Sequence, residues 1–319
     1  MSRTIPITAV LCTRNRGQQL ACTLAAFESI RTQSSWEFVI VDNGSTDNTS
    51  DVIAQFIRRG ALPLRSVFEP KPGLSAARNA GLREARGEII CYTDDDCYPA
   101  HDWIDCWLHA FRSRNMDYGG GRVDLFDPTD APITIRSDSE PQTFSPRSYI
   151  PAGRLHGANM AFRRHLITRV GDFDERLGAG SRFHAAEDTD YFQRASDMGF
   201  AGAYCPEPVV SHHHGRKLAE MRLLQRGYEI SSGALYAKRL LHNRAGILHH
   251  IADWWSKQAS IWDAIKFLYW AERRNFLRRN WNISRGLITY LFISWQNRKD
   301  AMAPTPVDYA DGSAQAESV

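Results

Sequence analysis

Three consecutive carboxylates, Asp94-Asp95-Asp96, follow directly on the apolar run Ile89-Ile90-Cys91-Tyr92-Thr93. A short β-branched and aromatic run reads as a buried strand, which puts the acids at its C-terminal end. Ligands bind at that end of open α/β sheets. Like charges packed at a strand tip repel one another, and a bound divalent cation relieves them. The other reading is a solvated acidic turn, since Asp favours turns.

A second acidic group, Glu187-Asp188-Thr189-Asp190, opens a helix whose apolar face is Tyr191, Phe192, Ala195 and Met198. A carboxylate there can take a proton as a general base. The helix N-terminus favours its charged form, while the neighbouring acids oppose it. Ordinary N-capping explains one acid of the three comfortably. The preceding Gly178-Ala179-Gly180-Ser181 is flexible enough to close over a substrate. Farther on, His212-His213-His214 follows a strand, and alternate strand residues share a face, so His212 and His214 point together. They suit a metal or a solvated strand end equally.

Two further loops lie at the same edge. Asp42 comes just past the strand Trp36–Val41 and can accept hydrogen bonds from a base or ribose. The Ser, Thr, Asp and Asn residues after it also suit helix capping, which is the reading taken for Asp47 to Ser50. Pro72 to Gly81 feeds an Ala-rich helix, where the planar fork of Arg78 either meets a phosphate or lies on a solvated face.

Elements must bring these groups together. Strands are expected over 7–12, 36–41, 64–68 and 89–93, with helices between them, the last over about 75–86. Strands alternating with helices mean parallel pairing in a doubly wound α/β sheet. Five prolines within 123–155 favour a long irregular excursion, and such loops are usually functional or mobile. From about Lys217 to Arg298 the pattern turns helical, aromatic and basic, with six of the nine tryptophans. The chain therefore divides into a body over 1–215, a helical extension over 216–300 and a disordered tail over 301–319.

Composition narrows the class. A hydrophobic content of 43% with 24% charged residues is that of an ordinary globular protein. The net charge of +3 hides an asymmetry, because residues 216–300 hold 16 Lys and Arg against 6 Asp and Glu. Six cysteines without a C-x-x-C pair fit reduced thiols in the cytoplasm. The first residues lead straight into a strand with no apolar signal region, and the longest C-terminal apolar run is about half a spanning helix.

The order of motifs resembles the family 2 glycosyltransferases of the GT-A fold over roughly residues 5–215. It runs from a strand and Thr13-Arg14-Asn15-Arg16, through Val41–Thr49 and Pro72–Gly81, to the Asp94–Asp96 strand end. Gly157–Arg164, Gly171–Glu175 and Glu187–Asp190 continue it. The resemblance implies a metal-dependent, inverting, hexosyltransferase-type enzyme with a nucleoside-diphosphate sugar donor, working in cell-surface polysaccharide or glycolipid synthesis. It implies that Asp42 contacts the base, with Thr13 and Arg14 lining that pocket and Asp95 beside it. Asp96 would hold Mn2+ or Mg2+, with Asp94 at the ribose or metal-bound water and His212 or His214 joining the metal. Asp188 would be the base, with Glu187 as its alternative, and Asn159 would touch the transferred sugar.

Basic, aromatic amphipathic helices lie in membrane interfaces, so the extension, Ile247–Trp270 above all, suits peripheral contact with the inner face of the plasma membrane. A saccharide or lipid-linked acceptor fits that location. Packing on the body is the plainer alternative, and no nucleic-acid motif accompanies the charges. Two rival functions are a sugar nucleotidyltransferase and a catalytically silent binder of sugar nucleotides or polysaccharide. The first lacks a Gly-rich loop followed by Thr-Arg near the N-terminus. The second must explain why every expected acid is present.

Overall fold

Four apolar runs in the first hundred residues fold as parallel strands of one sheet: β1 (Ile7–Thr13), β2 (Trp36–Asp42), β3 (Leu64–Phe68) and β4 (Ile89–Asp94). The computed structural model describes residues 5–242 and 270–302. Helices α1 (Gly17–Phe27), α2 (Thr49–Arg59) and α3 (Leu74–Glu84) connect the strands. The inner strands are apolar throughout because helices cover both faces. Alternation sorts their side chains: Ile7, Ala9 and Leu11 join Phe27, Phe38 and Trp103 on one side, and Val10 joins Val41, Ala77 and Tyr92 on the other.

The chain continues through β5 (Cys97–Pro99), α4 (Trp103–Ser113), β6 (Tyr118–Leu125), β7 (Gln142–Phe144), β8 (Asn159–Arg163), α5 (Arg164–Val170), α6 (Glu187–Asp197) and β9 (Gly202–His212). The sheet order is β3-β2-β1-β4-β8-β6-β9-β5, with β7 on β9. Beyond β4 the sheet is mixed, because β8 runs antiparallel to both β4 and β6. Between β6 and β8 the chain is irregular apart from β7, as the prolines require. Pro206 and Pro208 do not break β9, since the ladder jumps from Gly121–Cys205 to Arg122–Val209. Both prolines fall in that bulge, where no ladder donor is needed.

A single 3-10 turn, Leu218–Glu220, leads to α7 (Met221–His242), which packs against α8 (Trp270–Met302). Their backbones touch. A Cβ on Gly233 would stand 1.9 Å from the Ile283 carbonyl oxygen, and one on Gly286 1.9 Å from that of Ile230. The pair docks on the body through Leu177, Phe183, Ala234, Leu235 and Tyr290. Ion pairs reinforce the seam. Lys238 Nζ lies 2.8 Å from both Asp174 and Asp190, and Arg176 pairs with Asp174 at 2.7 Å. Asp174 is held well below the usual carboxylate range: burial raises it, and Arg176 and Lys238 outweigh burial.

Among the described residues one stripe of α8 is exposed: Leu277, Trp281, Ile288 and Phe292 recur at helical spacing and are 53–71% exposed. Among the described residues no helix is long and apolar enough to cross a membrane. Residues 243–269, which hold nearly all of the aromatic stretch Ile247–Trp270, lie outside the described residues, as does the tail beyond Met302.

Candidate active site

Parallel register gathers the first chemical groups. Thr13 stands opposite Asp42 and Cys12 opposite Asp94, so β1, β2 and β4 end together. A cavity of about 670 Å3 opens there. Thr13, Arg14, Arg16, Arg78 and Asp94–Asp96 line one side, with Gly157, Glu187, Asp188 and His212 around it.

The three acids have different surroundings. Asp94 keeps a 31% exposed side chain and meets Arg78 Nη2 at 3.3 Å. Asp95 turns inward, where its carboxylate accepts a hydrogen bond from Thr13 Oγ1 at 2.7 Å and pairs with Arg16 at 2.9 Å. Burial pushes it up to about 7 against the pull of Arg16. Asp96 pairs with Arg16 Nη2 at 3.0 Å and with His212 Nε2 at 3.2 Å. Burial would raise it too, but the hydrogen bond and charge of His212, then Arg16, outweigh burial and hold it at about 2.

Across the cavity, α6 begins abruptly. Ala186, with φ at 77°, is left-handed and starts the helix at Glu187. Glu187 is buried against Arg78 Nη1 at 2.7 Å, and burial raises its carboxyl to about 7. Asp188 stays partly exposed. Its Oδ2 accepts the Gly157 N–H at 2.7 Å and its Oδ1 the Thr189 N–H at 2.6 Å. These donors fix its direction at the cavity wall. The Gly178–Ser181 loop is tied down here, with Leu74 N–H donating to Ala179 O at 2.9 Å. A Cβ on Gly178, at φ 98°, would approach Ser75 Oγ at 3.1 Å.

Asp94, Asp96, Cys97 and His212 present ligand atoms that all lie within 4.8 Å of one another, so this group can hold a metal ion. The donors suit a hard or borderline divalent cation. His212 Nδ1 is buried with no hydrogen-bond partner. Burial pushes the Cys97 thiol well up, which leaves Asp94, Asp96 and His212 as the fitting set.

Other expected residues stand elsewhere. Asn159 is fully buried and outside the cavity wall. Its amide nitrogen donates to Arg122 O and Pro208 O, and its oxygen accepts from Trp103 Nε1, so every group is already bonded within the protein. Asp42 accepts the Ser45 N–H at 2.9 Å, a turn-capping contact, and its neighbour Asn43 lines the cavity instead. His214 lies behind His212, with ring centroids 5.0 Å apart, and its Nδ1 accepts the Arg216 N–H. Arg78 is 2% exposed, and its fork is engaged by Asp94 and Glu187. Several lining residues had no assigned role in the sequence. Arg16 bridges two acids, His156 precedes the Gly157 motif, and Leu224, Tyr228, Ser231, Ser232 and Leu235 come from α7. A histidine directly before Gly157-Ala158 was a readable signal; the α7 residues carried none.

Sheet, strand-end cavity and acid pair together define the GT-A architecture of nucleotide-sugar enzymes. The family model described as Glycosyl transferase family 2 matches residues 8–171, just over half the chain, and the chain belongs to that family. It is 25% identical to the glycosyltransferase AglE of Haloferax volcanii, over 74% of this chain and 75% of that protein. It spans less than half the length of other curated glycosyltransferases it matches. Its fold superposes on a mannosyltransferase from Pyrobaculum calidifontis, solved with GDP-Man and Mn2+, with a TM-score of 0.61 at 18% identity, covering 91% of this chain and 88% of the other. S. aureus TarS 1–349 gives a TM-score of 0.58 at 15% identity, covering 92% of each chain.

Proposed function

We propose that the protein is an inverting, metal-dependent hexosyltransferase that moves a sugar from a nucleoside-diphosphate donor to an acceptor hydroxyl. One observation carries this reading: Asp188 and the Asp94, Asp96 and His212 group line the same cavity. The strand-end side takes the donor, with Thr13 and Arg14 toward the nucleoside and Asp42 shaping the turn behind them. Asp188 Oδ accepts the acceptor hydroxyl's proton as its oxygen attacks the anomeric carbon from the face opposite the leaving group. The bond to the nucleoside diphosphate breaks in the same displacement. Asp94, Asp96 and His212 would hold Mn2+ or Mg2+, which would neutralise the charge on the leaving diphosphate.

Asp188 suits the base role better than Glu187, which is buried against Arg78. Arg78 thereby acts as the buried cation that keeps Asp94 and Glu187 in place. The uncovered apolar face of α8, with Arg278 and Arg285 on the same helix, supports peripheral contact with an anionic lipid surface. Such a surface fits cytoplasmic work on cell-surface polysaccharide or glycolipid.

A thermal-shift panel of UDP, GDP, dTDP and CDP, each with and without Mn2+, tests the donor side. A metal-dependent shift for one nucleotide is expected. Identical melting with every nucleotide would overturn the reading.

A further inference from the structure

A second groove, of about 600 Å3, adjoins the catalytic cavity, and His184, Arg216, Leu224 and Tyr228 line both. It therefore opens beside the loop that leads into α6 and Asp188. Its own wall adds Arg226 and Leu223 from α7 and Arg285 from α8. Three arginines line it, and among the described residues Glu220 is the one acid on its wall. That acid already accepts the Lys217 N–H at 2.9 Å, capping the turn before α7. All three arginines are exposed, and none forms an ion pair among the described residues.

Beside these cations stand apolar groups. Leu223 is 78% exposed, and Leu224, Ile230 and Tyr228 flank it. Guanidinium forks match phosphate oxygens, and exposed leucines match a hydrocarbon. A neutral sugar chain would leave the arginines unused, and a free phosphate would leave the leucines unused.

Resting on the glycosyltransferase reading above, we propose that this groove is the acceptor subsite, and that the acceptor carries a phosphate or diphosphate on an apolar chain. Arg226 and Arg285 hold the phosphate, and Leu223 and Leu224 hold the start of the chain. The hydroxyl-bearing end reaches past Tyr228 toward Asp188. The extension is then the element that selects the acceptor, and the sheet selects the donor.

The test uses the full chain, saturated with its nucleoside diphosphate and Mn2+ so that the donor site is blocked. Farnesyl diphosphate is titrated against it by calorimetry, beside inorganic diphosphate and farnesol. Farnesyl diphosphate should bind more tightly than either fragment. Arg226→Glu with Arg285→Glu should weaken it at least about tenfold, as charged hydrogen bonds are lost, with nucleotide affinity unchanged. Leu223→Gln should weaken farnesyl diphosphate but leave inorganic diphosphate alone. Equal binding by the charge-reversed variant would overturn the proposal, and so would farnesol or inorganic diphosphate matching the full probe. Should no nucleoside diphosphate bind while farnesyl diphosphate still binds through the arginines, the groove stands and the donor reading falls.

Discussion

The two sides of the cavity are built in opposite ways. On the side proposed for the donor, β1, β2 and β4 end in register, and short contiguous motifs deliver Thr13, Asp42 and Asp94–Asp96 to one edge. On the side proposed for the acceptor, the wall is assembled from the loop before α6, the turn after β9 and the helix α7. The donor side is acidic with internal cations at Arg16 and Arg78; the groove beyond it is cationic with one acid. One wall of the cavity is carried by a few strand ends. The wall opposite is assembled from residues far apart in sequence.

The sharpest way to break this division is at the acids. Asp188→Asn should lower sugar transfer by roughly 10^2 to 10^4-fold, the contribution of a positioned base, while nucleotide binding measured by thermal shift stays unchanged. Robust turnover would move the base elsewhere. Asp96→Ala should erase the Mn2+-dependent part of the nucleotide shift; survival of that part would remove Asp96 from the metal set.

How far each side was legible follows the same line. The strand over 36–41 was read one residue short of β2, because an apolar run closed by a polar turn has no other stable burial, and the edge strand over 64–68, none of it fully buried, also matched its reading. Of β9 the sequence marked only a strand before His212 and not its extent, since two prolines conceal a strand whose bulge needs its partner β6 to make sense. Asp188 was legible as one acid at a helix start, but its orientation by Gly157 N–H joins residues 31 apart in sequence. Asn159 looked like a ligand because a polar residue in a motif does; its three partners come from three separate elements. The paired state of Arg78 likewise depends on Glu187, over a hundred residues away.

Smaller effects test the extension. Gly233→Leu inserts atoms where a Cβ would already collide with Ile283 O. It should cost roughly 1–3 kcal/mol, read as a lower Tm and faster hydrogen exchange in α7 and α8. Unchanged exchange would mean that the helices do not touch in solution.

Acid should loosen the same seam. Asp174 has a folded-state pKa below its unfolded value, so its contribution is fully present above about pH 4 and fades as pH falls toward the folded value. Tm followed from pH 6 to pH 3 should drop less steeply in Asp174→Asn than in the parent. Parallel curves would exclude the Asp174 seam as the acid-sensitive element.

The mildest change concerns location. Trp281→Glu with Ile288→Glu should abolish flotation with anionic vesicles and spare transfer to a soluble acceptor. Undiminished flotation would sink the lipid-surface reading of α8.

The contact between Gly233 and Gly286 has a consequence for spacing. Where side chains separate two helices, their spacing drifts as those side chains vary. Here the spacing is set by main-chain atoms on both sides. The separation of α7 and α8 at this crossing is thus fixed by backbone and not by side-chain size. Substitutions along the outer face of α8 can therefore change what that face presents while the spacing of the two helices stays the same.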